Sequence, residues 1–383
     1  MSNILYISNV KPPFDECSST DIMTNSIIHG LSQTSNSITL LLLIDDIDEK
    51  KKLNDYYSKL VDRVLFSKRF FHEGQSKYRF LFGGLVALVL QKSYRTELSC
   101  IIDKLGHIDT IIANKVTIDE IIYAELINKE YPQVKSYQFW SDPMALSGIT
   151  SNMFYKMPRR WLFRILEKKL ISRCDLVIYG TRTLYHTQSA FYKSLSGKMR
   201  YIDICYTPSK NTSNCIEGNR LLYAGNYYSS IRDITPLAEA ISLQNKYTLD
   251  IYGNGDVDLS NYKNVEVHSR VDRETLEKIE AQHSAIICVL NKTASQIPGK
   301  IFYDMCSDKA IIVLTDGTYS ETILEDLESY HRFKVCKNTC QDILNMLSKD
   351  LSNIEFDIGE IKTKYSPLAI SMSLLNGGKT ESR

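Results

Sequence analysis

Gln296-Ile297-Pro298-Gly299-Lys300-Ile301-Phe302-Tyr303-Asp304 joins one apolar run, Ala285 to Leu290, to another, Ala310 to Leu314. Pro298-Gly299 is a tight loop, and Lys300 to Met305 reads as the first turns of a helix. A strand, a glycine loop and a helix start direct backbone N–H groups and the positive helix end at one point. That arrangement binds phosphate, and Lys300 adds a full charge beside it.

The preceding residues supply the elements that must hold such a site. Arg220 to Asn226 is a short apolar strand ending in glycine, followed by Arg232-Asp233 and a helix from Ile234 to Leu243 with Pro236 in its first turn. Tyr247 to Gly253 is the next strand, closed by Gly253-Asn254-Gly255-Asp256, and Val265 to His268 is another. A helix follows from Asp272 to Gln282. Short strands alternating with helices predict a parallel sheet covered on both faces. Such sheets bind ligands where loops leave the carboxyl ends of their strands. Gly225, Gly253 and Gly299 all fall at such ends.

The order AGN, IRDI, LDIYGNG, VEVHSRV, QIPGKIFYDM and KAIIVL resembles the nucleotide-sugar half of GT-B glycosyltransferases. It is most similar to family 4-like bacterial capsule and lipopolysaccharide sugar transferases. The likeness covers roughly 220–345, and the first half by general pattern. It implies an α/β chain of two Rossmann-like domains with parallel sheets and a C-terminal crossover helix. It implies transfer of a sugar from a nucleotide-diphosphate sugar to a glycan or lipid-linked acceptor in surface polysaccharide assembly. Arg232 would then hold the donor pyrophosphate, in a donor set of Gly225, Asn226, Arg232, Gly253, Gly299, Lys300, Tyr303 and Asp304. The family pairs two glutamates around this loop. Here one position is Tyr303, or Asp304 with a one-residue shift, and the other falls near Ser295 or Gln296, so neither glutamate is retained.

Negative charge grows on the leaving phosphate as a sugar departs, and stabilising it is the main electrostatic task. Arg232, Lys300 and the amides around Gly299 can do this without a metal, Arg bidentately. No Asp-x-Asp motif stands where a metal-dependent transferase needs one, so neither metal nor cofactor is expected. An inverting reaction needs a base for the acceptor hydroxyl. Asp142, after the strand VKSYQFW, is the candidate. The family often has His-Asp in this region, and Ser141 holds the His position. Asp142-Pro143 also fits a simple turn. Two other readings stay open: a nucleotide-sugar epimerase on the same fold, and a non-catalytic sugar- or membrane-binding member.

The chain has 383 residues, too many for one ordinary core. The pattern divides it into 1–205, a linker at 206–219, a donor domain at 220–358, and a last helix and tail at 359–383. The helix there begins with Ser366 as N-cap and Pro367 at its first position, and the tail after Asn376 reads as disordered. In the first half, strands are expected at 3–8, 38–44, 108–113, 134–139 and 175–179, with helices at 21–31 and 118–128. Asp15 and Glu16 lie in a glycine-free loop after the first strand. Nine cysteines without a CxxC pair read as reduced thiols, and Cys336, Cys340 and His331 as thiols and a histidine more readily than as a metal site. The first strand starts at once, without a signal-like segment. A cytoplasmic protein is expected.

Charge is uneven. The whole chain carries only +1, which lends no support to a nucleic-acid partner. Yet residues 151–200 hold eleven Lys or Arg against Glu167 and Asp175. Arg159, Arg160, Arg164, Lys168 and Lys169 alternate with Met157, Trp161, Phe163 and Leu166. A basic helix with aromatic anchors suits an anionic membrane surface, placing the protein on the inner face of the cell membrane. A solvated helix face and a nucleic-acid patch are the alternatives. Phe80 to Leu90 is an apolar run too short to span a bilayer, and reads as a buried or an interfacial helix.

Overall fold

A computed structural model describes residues 2–13, 18–44, 48–70, 91–143, 153–207, 218–292, 297–303, 305–307, 309–317, 320–349, 351 and 357–380, with 91, 153–160, 273 and 320 described by their backbone alone. Asp15, Glu16, the 80–90 run and Asp304 lie outside these residues. The chain forms two compact units, one of 1–205 with 364–383 and one of 206–363.

The first unit is built on seven strands: β1 (Asn3–Ser8), β2 (Ser37–Ile44), β3 (Arg63–Lys68), β4 (Thr110–Lys115), β5 (Lys135–Trp140), β6 (Leu176–Tyr179) and β7 (Met199–Tyr201). All are parallel, in the order β3-β2-β1-β4-β5-β6-β7. Runs such as SITLLLLI carry no polar alternation because helices cover both faces of the sheet. Leu5, Ile7, Leu41, Ile111 and Val177 are buried in its core, each contributing about 1.5–3 kcal/mol by leaving water. The helix Ser19–Ser32 starts at a capping box, Ser18 accepting from the Asp21 amide while Asp21 accepts from the Ser18 amide.

The last helix, Pro367–Leu375, begins on the Ser366 hydroxyl, which accepts from the Ala369 amide at 3.1 Å. It packs on Ser19–Ser32, where Ser371 Oγ donates to the Ile27 carbonyl at 2.9 Å. Gly30 permits the approach, since a Cβ there would stand 2.1 Å from the Pro367 carbonyl oxygen. The tail departs from the expectation of disorder. Gly377 and Gly378 take positive φ angles, Lys379 bridges to Tyr201 at the end of β7, and its ammonium reaches Asp203. Two glycines turn the chain where it can add to the sheet edge, and the edge then holds it.

The second unit has six parallel strands: β8 (Arg220–Ala224), β9 (Thr248–Tyr252), β10 (Val265–His268), β11 (Ala285–Val289), β12 (Ala310–Thr315) and β13 (Lys334–Lys337). Their order is β10-β9-β8-β11-β12-β13. The helices Thr235–Ser242 and Cys340–Leu347 bury Leu237, Ile241, Ile343 and Leu347 on one face of this sheet, against Leu221, Leu249, Ile287 and Ile312. The strand order reverses between β8 and β11, which opens a crevice at the carboxyl end of this pair.

Two local expectations need correction. The helix after Gly299 is a single turn, Lys300–Tyr303, with Met305 in a turn beyond it. Ile301, Phe302, Tyr303 and Met305 are all buried, so packing fixes the segment where a longer amphipathic helix would expose one side. In the basic helix Met153–Ser172, Phe163 and Leu166 belong to the core and are not anchors.

Candidate functional site

The crevice end of β8 is occupied by cations. Gly225 follows the strand with φ +151°, a conformation that favours glycine. A Cβ there would lie 3.1 Å from Lys300 Nζ and 3.9 Å from Arg232 Nη1. Both charges therefore converge on the open face of this residue. Lys300 Nζ donates to the Ala224 carbonyl at 2.8 Å and stands 5.1 Å above the centre of the Tyr223 ring, a cation–π contact. Arg232 is held at two points, Nη1 donating to the Asn226 carbonyl at 3.3 Å and Nη2 to Asn291 Oδ1 at 2.9 Å. Its Nε is buried and makes no hydrogen bond among the described residues. A guanidinium fixed in this way meets phosphate oxygens without first losing rotamer freedom.

Asn226 ties the loops together. Its carbonyl also accepts from Tyr223 Oη at 3.2 Å, and its Oδ1 accepts from the Asn254 amide at 3.2 Å. Gly253 allows the contact, because a Cβ there would fall 2.1 Å from the Gly225 carbonyl oxygen. Gly225 N–H in turn donates to the Tyr252 carbonyl at 2.9 Å. Burial pushes the Tyr223 phenol up to about 12, although Arg232 nearby pulls it down. It stays a neutral hydrogen-bonding group under the two cations.

Beyond Gly299, the Phe302 amide donates to the Gly299 carbonyl at 3.0 Å, closing the single turn that aims Lys300 back at β8. Tyr303 is only 4% exposed, and its carbonyl accepts from the Thr207 amide. Next to Arg232, Lys292 pairs with Asp233 at 3.2 Å and lies 4.0 Å from Asp316. Desolvation raises the Asp233 carboxyl, but hydrogen bonds from Thr235 and Lys292 outweigh it and lower the group. Sequence reasoning did not single out Tyr223, Asn291 or Lys292. Their signal was position alone, inside β8 and just past the end of β11.

No protein-family model matches the chain, and no curated protein matches it in sequence. Solved structures do match. Sucrose-phosphate synthase from Thermosynechococcus elongatus superposes with TM-score 0.63 at 12% identity, over 98% of both chains. Arabidopsis thaliana UGT89C1 complexed with UDP-L-rhamnose gives 0.54 at 11% identity, over 98% of this chain and 95% of that one. A UDP-N-acetylglucosamine 2-epimerase gives 0.53 at 10% identity, over 98% and 94%. The chain has the GT-B fold.

In this GT-B chain, Asp142 lies in the first unit, two residues after β5. Its carbonyl accepts from Lys115 Nζ at 3.0 Å, and that ammonium stands 5.4 Å from the Trp140 ring centre. Asp142 is exposed at the surface of its loop, and the atoms crowding its carboxyl still raise it, opposed by Lys115 and by a hydrogen bond from Ser141. A carboxylate raised toward neutrality accepts a proton more readily than an ordinary one.

The basic helix of the same unit presents Trp161, Arg164, Ile165 and Lys168 outward at helical spacing, with Trp161 63% and Ile165 49% exposed. Arg164 covers the Phe191 ring at 4.7 Å, and Lys169 is half-buried. The side chains of Arg159 and Arg160 lie outside the described residues. No described helix is long and apolar enough to cross a membrane.

Proposed function

We propose that the protein is a glycosyltransferase that takes a sugar from a nucleotide-diphosphate sugar. The observation that carries this reading is the convergence of Lys300 and Arg232 on Gly225, at the strand-order reversal of the second sheet. The pyrophosphate would lie over Gly225, with Arg232 and Lys300 taking its oxygens. Both cations become more valuable as the bond to the sugar breaks and charge builds on the leaving phosphate. The nucleoside would rest along 253–256 and 268–272, reached by backbone groups. Asp142 would take the proton of the acceptor hydroxyl.

The acceptor we propose is a glycan or lipid-linked glycan of a bacterial surface polysaccharide, capsule or O-antigen, met at the cytoplasmic face of the membrane. The exposed Trp161 and Ile165 beside Arg164 and Lys168 support that setting: apolar groups insert while basic groups face anionic lipid. The likeness to a UDP-N-acetylglucosamine 2-epimerase favours a second reading, interconversion of the bound sugar.

One experiment separates the two. The purified protein is incubated with a panel of nucleotide sugars, with and without lipid-linked acceptor extracts. Nucleotide release coupled to acceptor labelling supports transfer. A changed sugar still attached to its nucleotide supports the second reading. A panel in which no nucleotide sugar binds removes both.

A further inference from the structure

Away from the phosphate crevice, at the outer end of the second sheet, β9 and β10 bring three metal-ligating side chains to one face. In their parallel register Glu266 stands opposite Asp250 and His268 opposite Tyr252, so all four project to the same side. One ligand atom from each of Asp250, Glu266 and His268 lies within 4.8 Å of the other two. We infer that these three residues form a binding site for a divalent transition-metal cation of the zinc class. The inference does not depend on the glycosyltransferase reading.

The buried Asp250 carboxylate is already oriented. Arg220 Nε and Nη2 donate to its Oδ2 at 3.2 and 2.6 Å, and His283 Nε2 meets the same oxygen at 2.6 Å. The His283 ring is itself fixed, its Nδ1 lying 2.7 Å from the Ile279 carbonyl. All three contacts fall on one oxygen. Among the described residues no hydrogen bond reaches Oδ1, which faces His268 Nε2 at 3.7 Å.

His268 is held too, its ring stacked on Tyr252 with centroids 4.5 Å apart and planes 18° apart. Its Nε2 is buried and makes no hydrogen bond among the described residues. Glu266 Oε2 lies 3.8 Å from the same nitrogen. Two ligands each about 2.1 Å from one ion stand about 3.4 Å apart at the tetrahedral angle, so the 3.7 and 3.8 Å separations need only a few tenths of an ångström of closure to hold one. One imidazole nitrogen with two carboxylate oxygens suits zinc, cobalt or manganese better than magnesium or calcium. Arg220 and His283 then do for the carboxylate what hydrogen-bond partners of metal ligands do elsewhere, holding its free oxygen toward the ion.

An ion here would join the ends of β9 and β10. The His268 carbonyl accepts from the Gly253 amide at 3.2 Å, so the pinned strand ends are those from which the 253–256 loop leaves.

Cobalt(II) is the probe, because its visible absorption distinguishes nitrogen and oxygen ligands from thiolates. The full chain should bind one equivalent, showing weak visible bands without an intense thiolate band in the near ultraviolet. E266Q and H268A should each weaken this binding at least ~10-fold. Glu266 is 75% exposed, so E266Q keeps the fold even if H268A does not. Zinc should displace the cobalt and magnesium should not. The inference is overturned if cobalt fails to bind below about 1 mM, if E266Q binds it as the wild type does, or if magnesium displaces it as well as zinc.

Discussion

The Lys300 ammonium stands 3.1 Å from the point where a Cβ on Gly225 would sit. One residue closes β8, the other opens the single turn after Pro298-Gly299, and 74 positions of sequence separate them. Adding a methyl group at 225 would both strain a φ of +151° and crowd the ammonium. G225A should therefore weaken binding of UDP and GDP by at least ~10-fold, about 1.4 kcal/mol, as read by calorimetry. Binding at wild-type strength would remove the phosphate from this face.

K300A and R232A should each cost ~1.5–3 kcal/mol of nucleotide-diphosphate affinity, the worth of a charge-assisted hydrogen bond. Neither residue lies in an apolar run, so thermal unfolding should move little. A control distinguishes the two clamps. N291A should loosen Arg232, whose Nη2 it accepts at 2.9 Å, and so weaken binding less than R232A does. Equal affinity of K300A, R232A and wild type for both diphosphates would discard the donor-site assignment.

Asp142 is open to a kinetic test. If it is the base, D142N should lower turnover at least ~100-fold while donor affinity stays near wild type. The raised carboxyl places the acid limb of the wild-type rate profile above that of an ordinary aspartate. Nearly full turnover in D142N would leave the residue as the turn former that Asp142-Pro143 also describes.

The outward face of Met153–Ser172 makes a binding prediction. The protein should pellet with vesicles containing acidic lipid and not with neutral ones. The effect should fade with salt, since exposed charges are screened within ~8 Å at physiological ionic strength. Reversing Arg159, Arg160, Lys168 and Lys169 to Glu should abolish pelleting yet spare hydrolysis of soluble donor. W161A should weaken pelleting by a smaller step through lost apolar insertion. Indifference of the wild type to acidic vesicles at low salt would make the helix a solvated face.

A fourth group of residues governs stability against pH. Glu120 is fully buried in the first unit, beside Asp119, with its Oε2 accepting from the Thr117 amide and hydroxyl. Desolvation, reinforced by Asp119, raises its carboxyl from 4.5 to about 7. The folded chain keeps this proton up to about pH 7, whereas the unfolded chain releases it above about 4.5. Stability from this group is thus complete below pH 4.5 and declines as pH rises to 7, by about 3 kcal/mol. Both tryptophans of the chain, Trp140 and Trp161, lie in this unit, so their fluorescence in urea reports its unfolding. E120Q should flatten the decline between pH 5 and 7. An unchanged slope in E120Q would assign the decline to another group.

By itself the sequence determined the class of the fold, because buried parallel strands must be continuous apolar runs, and SITLLLLI, AIICV and AIIVLT can be little else. It marked β1 and β10 to the residue, and it gave the last helix its start, since Ser366 and Pro367 act within one turn of themselves. β3, β7 and β13 escaped notice: they are edge strands, and their pairing with β2, β6 and β12 is a property of the sheet. The lone turn at Lys300–Tyr303 was overestimated because its apolar residues also read as a helix face, and only packing shows that all of them turn inward. The ordered tail at Lys379 was missed for a similar reason, as Gly377-Gly378 gives no hint of the edge it will meet. Residues such as Gly225 and Lys300 were legible one at a time, each at a strand end. That they face one another was decided by tertiary structure, because the crevice between β8 and β11 depends on strand order. Asp250, Glu266 and His268 were silent in sequence for the same reason, since their register is set between strands and not along the chain.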